Sequence, residues 1–405
     1  MKKFTKIIAL VLCFALIAAF AACAKDGGSE TTAPAGDETA APAGDETAAP
    51  AADGEAFKIG LVGPLTGPAA IYGNAAKNGA QIAVDEINAK GGIHIQFAYQ
   101  AQDDEHDAEK SVNAYNTLVD WGMQALVGPI TTTPAVAVSA EAANDRIFCL
   151  TPSASSTDVI DGKDNMFQVC FTDPNQGTAS ADYIAENLAG KSVAVIYRND
   201  DAYSQGIRDT FVKEAEAKGI DVVYEGTFTD ATSTDFSVQL TEAQSKNAEV
   251  VFLPIYYTPA SVILKQAADM DYAPTFFGVD GMDGILTVEG FDTSLAEGVM
   301  LLTPFSADDP NAKDFVDAYQ AAYGEVPNQF AADAYDAVYI IYQALQSAGC
   351  TPDMAAADIC EALVAQMATI SVDGLTGQGM TWDESGAVSK APMAVVIKDG
   401  AYVTP

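Results

Sequence analysis

The stretch Phe57–Ile93, FKIGLVGPLTGPAAIYGNAAKNGAQIAVDEINAKGGI, decides how the rest of the chain is read. Its opening alternates, with Ile59, Leu61 and Gly63 on one side and apolar Phe57 and Val62 nearby, the pattern of a buried strand. The segment GPLTGPAAIYG that follows carries too many turn residues for either a helix or a strand. Ala76, Gly79 with Ala80, Ala83 and Ile87 then recur at helical spacing, and Gly91-Gly92 supplies a stop. A second apolar run starts at Ile93, which completes a strand–helix–strand unit. Ligands of such a unit meet the loop at the strand's carboxyl end.

The pattern repeats downstream. A strand is expected over Ile93–Gln100, ending in Asp103-Asp104-Glu105-His106-Asp107, then a helix over Ala108–Trp121. The strand Ala125–Ile130 runs into Thr131-Thr132-Thr133 and an alanine-rich helix to Ala143; the strand Arg146–Ser155 ends in a hydroxyl-rich loop through Ser156. A short strand, MFQVCFT, precedes a polar break at Asp173-Pro174-Asn175. The second series has helix Gln176–Leu188, strand SVAVIY, loop Arg198–Gly206, a helix to Lys218 and strand DVVYEGTF. Helix Thr234–Lys246, strand EVVFLPI, loop Tyr256–Pro259, a helix to Asp269, strand PTFFGV and a turn at Asp280–Gly284 complete it. Such alternation predicts parallel sheets covered on both faces. After the strand Gly298–Thr303 come helices Asn311–Tyr323, Asn328–Ala348 and Ala355–Thr369, then strand-like GMTWD and APMAVVIKDG. Those helices lack strands of their own. They are expected to return to the first lobe, so that the chain crosses between lobes three times around a hinged cleft.

The first 56 residues stand apart. Residues 1–22 carry Lys2, Lys3 and Lys6 ahead of the apolar run Ile7–Ala22, the make-up of a secretory signal. It ends in Phe20-Ala21-Ala22-Cys23, which resembles a bacterial lipoprotein box with Cys23 as the lipidated residue; ordinary cleavage and an uncleaved anchor are the alternatives. The repeat APAGDETA, starting at Ala33 and Ala41, lacks any large apolar side chain, so residues 23–56 are expected to form a lipidated cysteine and a disordered linker. A net charge of −36 argues against nucleic acid or an anionic membrane as partner. Export permits disulfides. Cys149 and Cys170 lie in apolar runs and read as buried thiols, while the spacing of Cys350 and Cys360 leaves a bridge between them open.

Enzyme chemistry finds no foothold. The chain has two histidines, His94 and His106, and no metal-ligand spacing around either; DDEHDAE reads as a solvated strand end with an Asp capping the next helix. There is no G-x-S-x-G elbow, Gly190-Lys191-Ser192 lacks the upstream glycine of a phosphate loop, and no G-x-G-x-x-G occurs. No cofactor and no metal are expected, and the chain does not read as an enzyme.

The strand-to-helix loops are consistent instead with binding. The first lobe offers Tyr72, Thr131–Thr133 and Ser153–Ser156, and the second offers Tyr203, Tyr256 and Asp280. Hydroxyls and free N–H groups at helix N-termini suit a carboxylate. Asp280 can hold an ammonium, and tyrosines offer flat apolar walls. Together they describe an amino-acid zwitterion, although singly the Thr and Ser clusters read equally as N-caps, the tyrosines as packing and Asp280 as a turn residue.

The motifs GPLTGPAAIYG, GAQIAVDEINAKGG, VGPITTTPA, LTPSAS, Asp201-x-Tyr203-Ser204-x-Gly206, TDFS, Gly278-Val279-Asp280-Gly281, AADAYDAVY and TWDESG occur in that order over Phe57–Pro405. In this the chain resembles the leucine/isoleucine/valine-binding family of substrate-binding proteins of ABC importers. The resemblance implies an α/β fold of two Rossmann-like lobes, with parallel central sheets flanked by helices and a three-stranded hinge, closing as a Venus flytrap (type I periplasmic binding protein). It implies lobes of 57–172 with 304–385 and of 173–303 with 386–405. Carried over by motif, Thr132 with its neighbour Thr131 would bind the α-carboxylate, Ser153 and Ser155 would contact carboxylate and ammonium, and Asp280 would pair with the ammonium. Tyr72, Tyr203 and Tyr256 would line the pocket. The partners implied are a small amino acid, leucine, isoleucine or valine first, and the permease subunits of the importer. The protein would be a monomer, held to the outer face of the bacterial membrane by its lipid alone. Other amino acids, amides, urea and aromatic acids are ligands elsewhere in the family, and a ligand sensor for a separate receptor is the alternative role. Two departures stand out. Some relatives carry Glu where this chain has Asp280, and some pair cysteines near positions 106 and 131, where this chain has His106 and Thr131.

Overall fold

The computed structural model describes residues 56–90 and 95–405. The expected signal, Cys23 and linker lie outside the described residues, as do Gly91-Gly92 and His94. In chain order the elements are β1 (Phe57–Gly63), α1 (Ala70–Ala89), β2 (Phe97–Asp103), α2 (Ala108–Trp121), β3 (Ala125–Val127), α3 (Thr132–Asp145), β4 (Phe148–Thr151), β5 (Met166–Gln168) and α4 (Asp173–Asn187). Then come β6 (Val193–Arg198), α5 (Ala202–Lys218), β7 (Val222–Phe228), α6 (Ser237–Ser245), β8 (Val250–Leu253), α7 (Tyr257–Asp269), β9 (Thr275–Gly278) and β10 (Met300–Thr303). Helices α8 (Lys313–Tyr323), α9 (Gln329–Ala348) and α10 (Ala356–Met367) precede β11 (Met393–Lys398) and β12 (Ala401–Val403).

Two sheets result. The first runs β2-β1-β3-β4-β5 and is parallel throughout. The second runs β12-β11-β10-β9-β8-β6-β7, parallel from β10 to β7, with β11 and β12 added antiparallel. The five parallel strands of each sheet share one doubly wound order, in which the second strand lies outside the first and the third on its other side. Each sheet therefore has a switch point, β1/β3 in one and β6/β8 in the other, and ligands bind beyond the carboxyl ends of strands at such points. The central strands β3, β4 and β8 are buried at every residue, as strands covered on both faces must be.

The helices after residue 304 do return to the first sheet: α9 packs on α1, β3 and β4, α10 on α9 and β4, and α8 on α1. Helices α1 and α9 approach to backbone contact. A Cβ added at Gly79 would stand 2.0 Å from the Ala331 carbonyl oxygen. The chain passes between the sheets after β5, after β10 and again before β11. The last passage is pinned: Trp382 Nε1 donates to the Gln168 carbonyl at 2.8 Å, and the buried Lys390 ammonium reaches Asp333 at 2.9 Å and Thr376 at 2.6 Å.

Several expectations shift. The second strand is Phe97–Asp103 and not Ile93–Gln100, because its register with β1 carries on until Asp103 faces Gly63. Asp173-Pro174-Asn175 is no break but the first turn of α4: Thr172 caps it by accepting from the Asn175 N–H, and proline is at home there. GMTWD contributes isolated bridges, Val372 to Met380 and Trp382 to Val388, and no strand. Cys149, Cys170, Cys350 and Cys360 are all free thiols, so Cys350 and Cys360 are unbridged.

The close α1–α9 contact yields a prediction. Gly79→Val should lower stability by about 1–3 kcal/mol, the usual cost of overpacking, read as a lower urea midpoint at unchanged slope. An unchanged midpoint would show that the two helices separate freely.

Candidate functional site

The carboxyl ends of the strands face one another across a pocket of about 200 Å³. Tyr72, Thr131, Ser153, Tyr203, Tyr256 and Asp280 line it, with Ile130, Gly281 and Phe330. Thr132 and Ser155, the other two expected residues, are buried but not on its lining.

Each lining side chain is held by the first turn of a helix or the loop ahead of it. Tyr72 sits at the start of α1, Thr131 and Tyr256 are the residues just before α3 and α7, Tyr203 is in the first turn of α5, and Asp280 follows β9. The loops expected over Arg198–Gly206 and Tyr256–Pro259 are shorter than their composition indicates, since helices begin at Ala202 and Tyr257. Asp201 explains the first, capping α5 by accepting from the Ser204 N–H at 3.1 Å.

Tyr72 joins the two halves. It is fully buried, its hydroxyl donates to the Gly281 carbonyl and accepts from the Tyr257 N–H at 3.2 Å, and its ring lies 4.2 Å from that of Phe330. Further bonds cross the cleft: Thr258 Oγ1 donates to the Pro68 carbonyl at 2.8 Å, the Ile71 N–H to the Tyr257 hydroxyl at 3.2 Å and Ser155 Oγ to Asp173 at 2.6 Å. The cleft is closed.

One end of the pocket is acidic. Asp280, 3% exposed, accepts from the Tyr203 hydroxyl at 2.5 Å. That hydroxyl also accepts from the Gly281 N–H at 3.0 Å, and Gln329 Nε2 holds the Asp280 carbonyl at 2.9 Å. Gly281 has to be glycine: a Cβ there would meet the Tyr203 hydroxyl at 2.5 Å. Burial pushes the Asp280 carboxyl up to about 7, against hydrogen bonds from Tyr203 and Gln176 that favour its charge. Asp173 lies close enough to feel Asp280; burial raises its carboxyl well above the usual range, and its Oδ2 is buried without a partner.

The other end is the N-terminus of α3. Thr131 makes no side-chain cap, the first turn carries no acid, and Thr132 Oγ1 is buried without a partner. A helix of fourteen residues with an uncapped start presents N–H donors and positive potential. The Ser153 and Ser155 hydroxyls donate to the Ile130 carbonyl and to Asp173, both at 2.6 Å, which engages their protons within the protein and leaves their oxygens able to accept.

Three contributors escaped the sequence. Phe330, in the first turn of α9, looks like any apolar helix residue. Asp173 reads in the sequence as part of a polar break, yet it opens α4 close enough to Asp280 to feel its charge. His106 is not a solvated strand end: Nδ1 is 2.9 Å from Thr131 Oγ1, the ring stands edge-on to Tyr256, and burial, then the Arg198 charge, lowers it to about 4, so it is neutral. Asp107 does cap the next helix, accepting from the Lys110 N–H at 2.9 Å.

Residues 56–401 match the family model described as periplasmic binding protein. The Leu/Ile/Val-binding protein BraC3 of Rhizobium johnstonii is 33% identical over 299 residues, covering 73% of this chain and 80% of that protein. Among solved structures, the branched-chain amino acid transporter substrate-binding protein LivJ of Streptococcus pneumoniae, in complex with isoleucine, aligns with a TM-score of 0.78 at 30% identity, over 87% of this chain and 100% of that one. A solute-binding protein from R. palustris in complex with benzoate has a TM-score of 0.76 at 22% identity, over 86% of this chain and 95% of that one, a likeness of fold alone. The chain belongs to the periplasmic binding protein family. Its fold is the type I fold of that family, α/β with largely parallel sheets.

The raised Asp280 carboxyl has a measurable sign. Its folded pKa of about 7 exceeds the ordinary 3.8, so the folded state holds the proton longer and stability is lost as pH rises from about 4 through 7. Denaturant unfolding at pH 5 and pH 8 should show wild type losing stability relative to Asp280→Asn, by at most about 1.4 kcal/mol per pH unit. Parallel pH profiles would refute a protonated Asp280.

Proposed function

We propose that the protein is an extracytoplasmic substrate-binding protein of an ABC importer, which closes on a branched-chain amino acid and delivers it to the permease. One observation carries this: a buried carboxyl, Asp280, faces the uncapped start of α3 across a small aromatic-walled pocket whose lining includes no basic residue. An α-amino acid supplies the missing cation to Asp280 and an anion to the helix start. The pocket is small and walled by nine residues, which favours a ligand of few heavy atoms. Tyr72, Ile130, Tyr256 and Phe330 offer its side chain an apolar enclosure. The names of BraC3 and LivJ, and the isoleucine bound to LivJ, support the same ligand class. An amide, urea or a benzoate-like acid would leave Asp280 without a counter-ion.

In this proposal Thr131, Thr132 and the α3 N–H groups receive the carboxylate, Asp280 the ammonium, and Ser153 and Ser155 contact both through backbone groups and hydroxyl oxygens. Ligand selects the closed form because only there do both lobes touch it. The lobes comprise 57–172 with 304–385 and 173–303 with 386–405, which is supported by the packing of α8, α9 and α10 on the first sheet's side. The protein acts as a monomer and not as an enzyme. Residues 1–22 serve as signal, Cys23 carries the lipid, and residues 24–56 tether the domain to the membrane surface. Among the described residues no helix is long and apolar enough to cross a membrane.

In a thermal-shift screen of the purified protein against L-amino acids, urea, amides and aromatic acids, leucine, isoleucine and valine should raise Tm selectively, as ligand in large excess stabilises by a few kcal/mol. A rise confined to amides or aromatic acids would overturn the role given to Asp280. By calorimetry, Asp280→Ala should weaken leucine binding by more than about 2 kcal/mol, and unchanged affinity would refute the ammonium contact.

A further inference from the structure

The small pocket is not all the space in the cleft. Beyond the Tyr256 ring lies a second, larger cavity of about 500 Å³, part of that space open to solvent. Pro68 and Ala69 wall it from the loop after β1, and Phe228 at the end of β7, Ile255 after β8 and Pro259 in the first turn of α7 wall it from the second sheet's side. Among the described residues, Tyr256 alone lines both cavities.

That ring is tightly set. It lies 4.8 Å from Tyr203, stands edge-on to Tyr72 at 5.3 Å and edge-on to His106 at 5.5 Å. Thr131 lines the small pocket, His106 lines the large one, and the two are hydrogen-bonded at 2.9 Å. The wall between the cavities is therefore the Tyr256 ring and the Thr131–His106 pair. The larger cavity is mixed in character, but its one basic residue, Arg198, is already engaged by Asp200 at 2.7 Å and Asp230 at 3.2 Å. It offers room and apolar surface to an uncharged group and no free cation to an anion.

We propose that the Tyr256 ring, braced by the Thr131–His106 hydrogen bond, is the partition that restricts the ligand to an aliphatic side chain, and that the larger cavity is the room an aromatic side chain enters once that ring is removed. This rests on the amino-acid reading above. A pocket wall discriminates between side chains by steric exclusion, and one extra or missing methylene is felt as roughly 10- to 200-fold. The ring itself, not its hydroxyl, forms the wall.

The test is calorimetric titration of the full chain with leucine and with phenylalanine, in wild type, Tyr256→Phe, Tyr256→Ala and the double variant Tyr256→Ala with Ser233→Trp, Ser233 being a lining residue of the larger cavity. Tyr256→Ala should move the phenylalanine-to-leucine Kd ratio towards phenylalanine by roughly tenfold or more. Tyr256→Phe should leave the ratio unchanged, and Ser233→Trp should take the gain back by filling the added room. Leucine binding by wild type with an unchanged ratio in Tyr256→Ala overturns the partition and leaves the amino-acid site standing. A gain that Ser233→Trp does not reverse overturns the role of the larger cavity. Wild type that binds no amino acid overturns both proposals. Should Tyr256→Ala fail to fold, Tyr256→Val makes the same comparison.

Discussion

A carboxyl taken out of water must be neutralised, or met by a cation and hydrogen bonds, because isolated charge is too costly in a protein interior. Asp280 imposes that constraint on the cleft. It stands 3% exposed after β9, with Tyr203 on one oxygen and no basic residue on the pocket's lining. The groups around it are arranged accordingly: Gln329 fixes its carbonyl, Gln176 its amide, and Gly281 is small enough to let Tyr203 close in. Asp173, a second buried carboxyl, is itself raised by burial and by the charge of Asp280. On the proposed reading, such a site awaits the ammonium of a ligand that arrives and leaves.

The sheets make that exchange geometrically possible. Both wind their parallel strands in the same order, so both present a switch point at their carboxyl edges, and the two edges face each other. The contacts that close the cleft combine aromatic packing of Tyr72 on Tyr256 and Tyr257 with a set of hydrogen bonds. Tyr72 on Gly281 and Tyr257, Thr258 on Pro68, and Ser155 on Asp173 are hydrogen bonds that water can replace on opening. Each contributes about 1 kcal/mol net, the scale on which a small ligand can shift the balance between open and closed forms. The pinned third passage, with Trp382 on Gln168 and Lys390 buried against Asp333, belongs to the fixed part of the molecule.

Local signals were easiest to read where one turn of chain carries the whole instruction. The helix Ala108–Trp121 occurs as its periodicity and the Asp107 cap predict. Tyr72, Tyr203, Tyr256 and Asp280 converge because each occupies the loop or first helical turn after a parallel strand, a position that period and punctuation reveal. Signals failed where a residue's meaning depends on what lies opposite. Phe330 is one apolar residue among many in α9 until Tyr72 is seen against it. His106 sits in an acidic, loop-like run, yet Thr131 and Tyr256 pack against it. Hydroxyl direction was equally hidden, since the acceptors of Ser153 and Ser155, the Ile130 carbonyl and Asp173, come from other segments of the chain.

The sequence by itself determined the alternation of strands and helices, the parallel character of the sheets, the loops that carry the site and the sign of the chemistry there, because hydrophobic period, capping and residue type act over one or two turns of chain. Only the tertiary structure decided that two such loop sets face each other closed, that Asp280 lies beyond the reach of any protein cation lining the pocket, that Cys350 and Cys360 stay apart, and that one tyrosine ring divides the cleft in two. Those facts depend on distances between residues far apart in the chain, which packing fixes and no local pattern encodes.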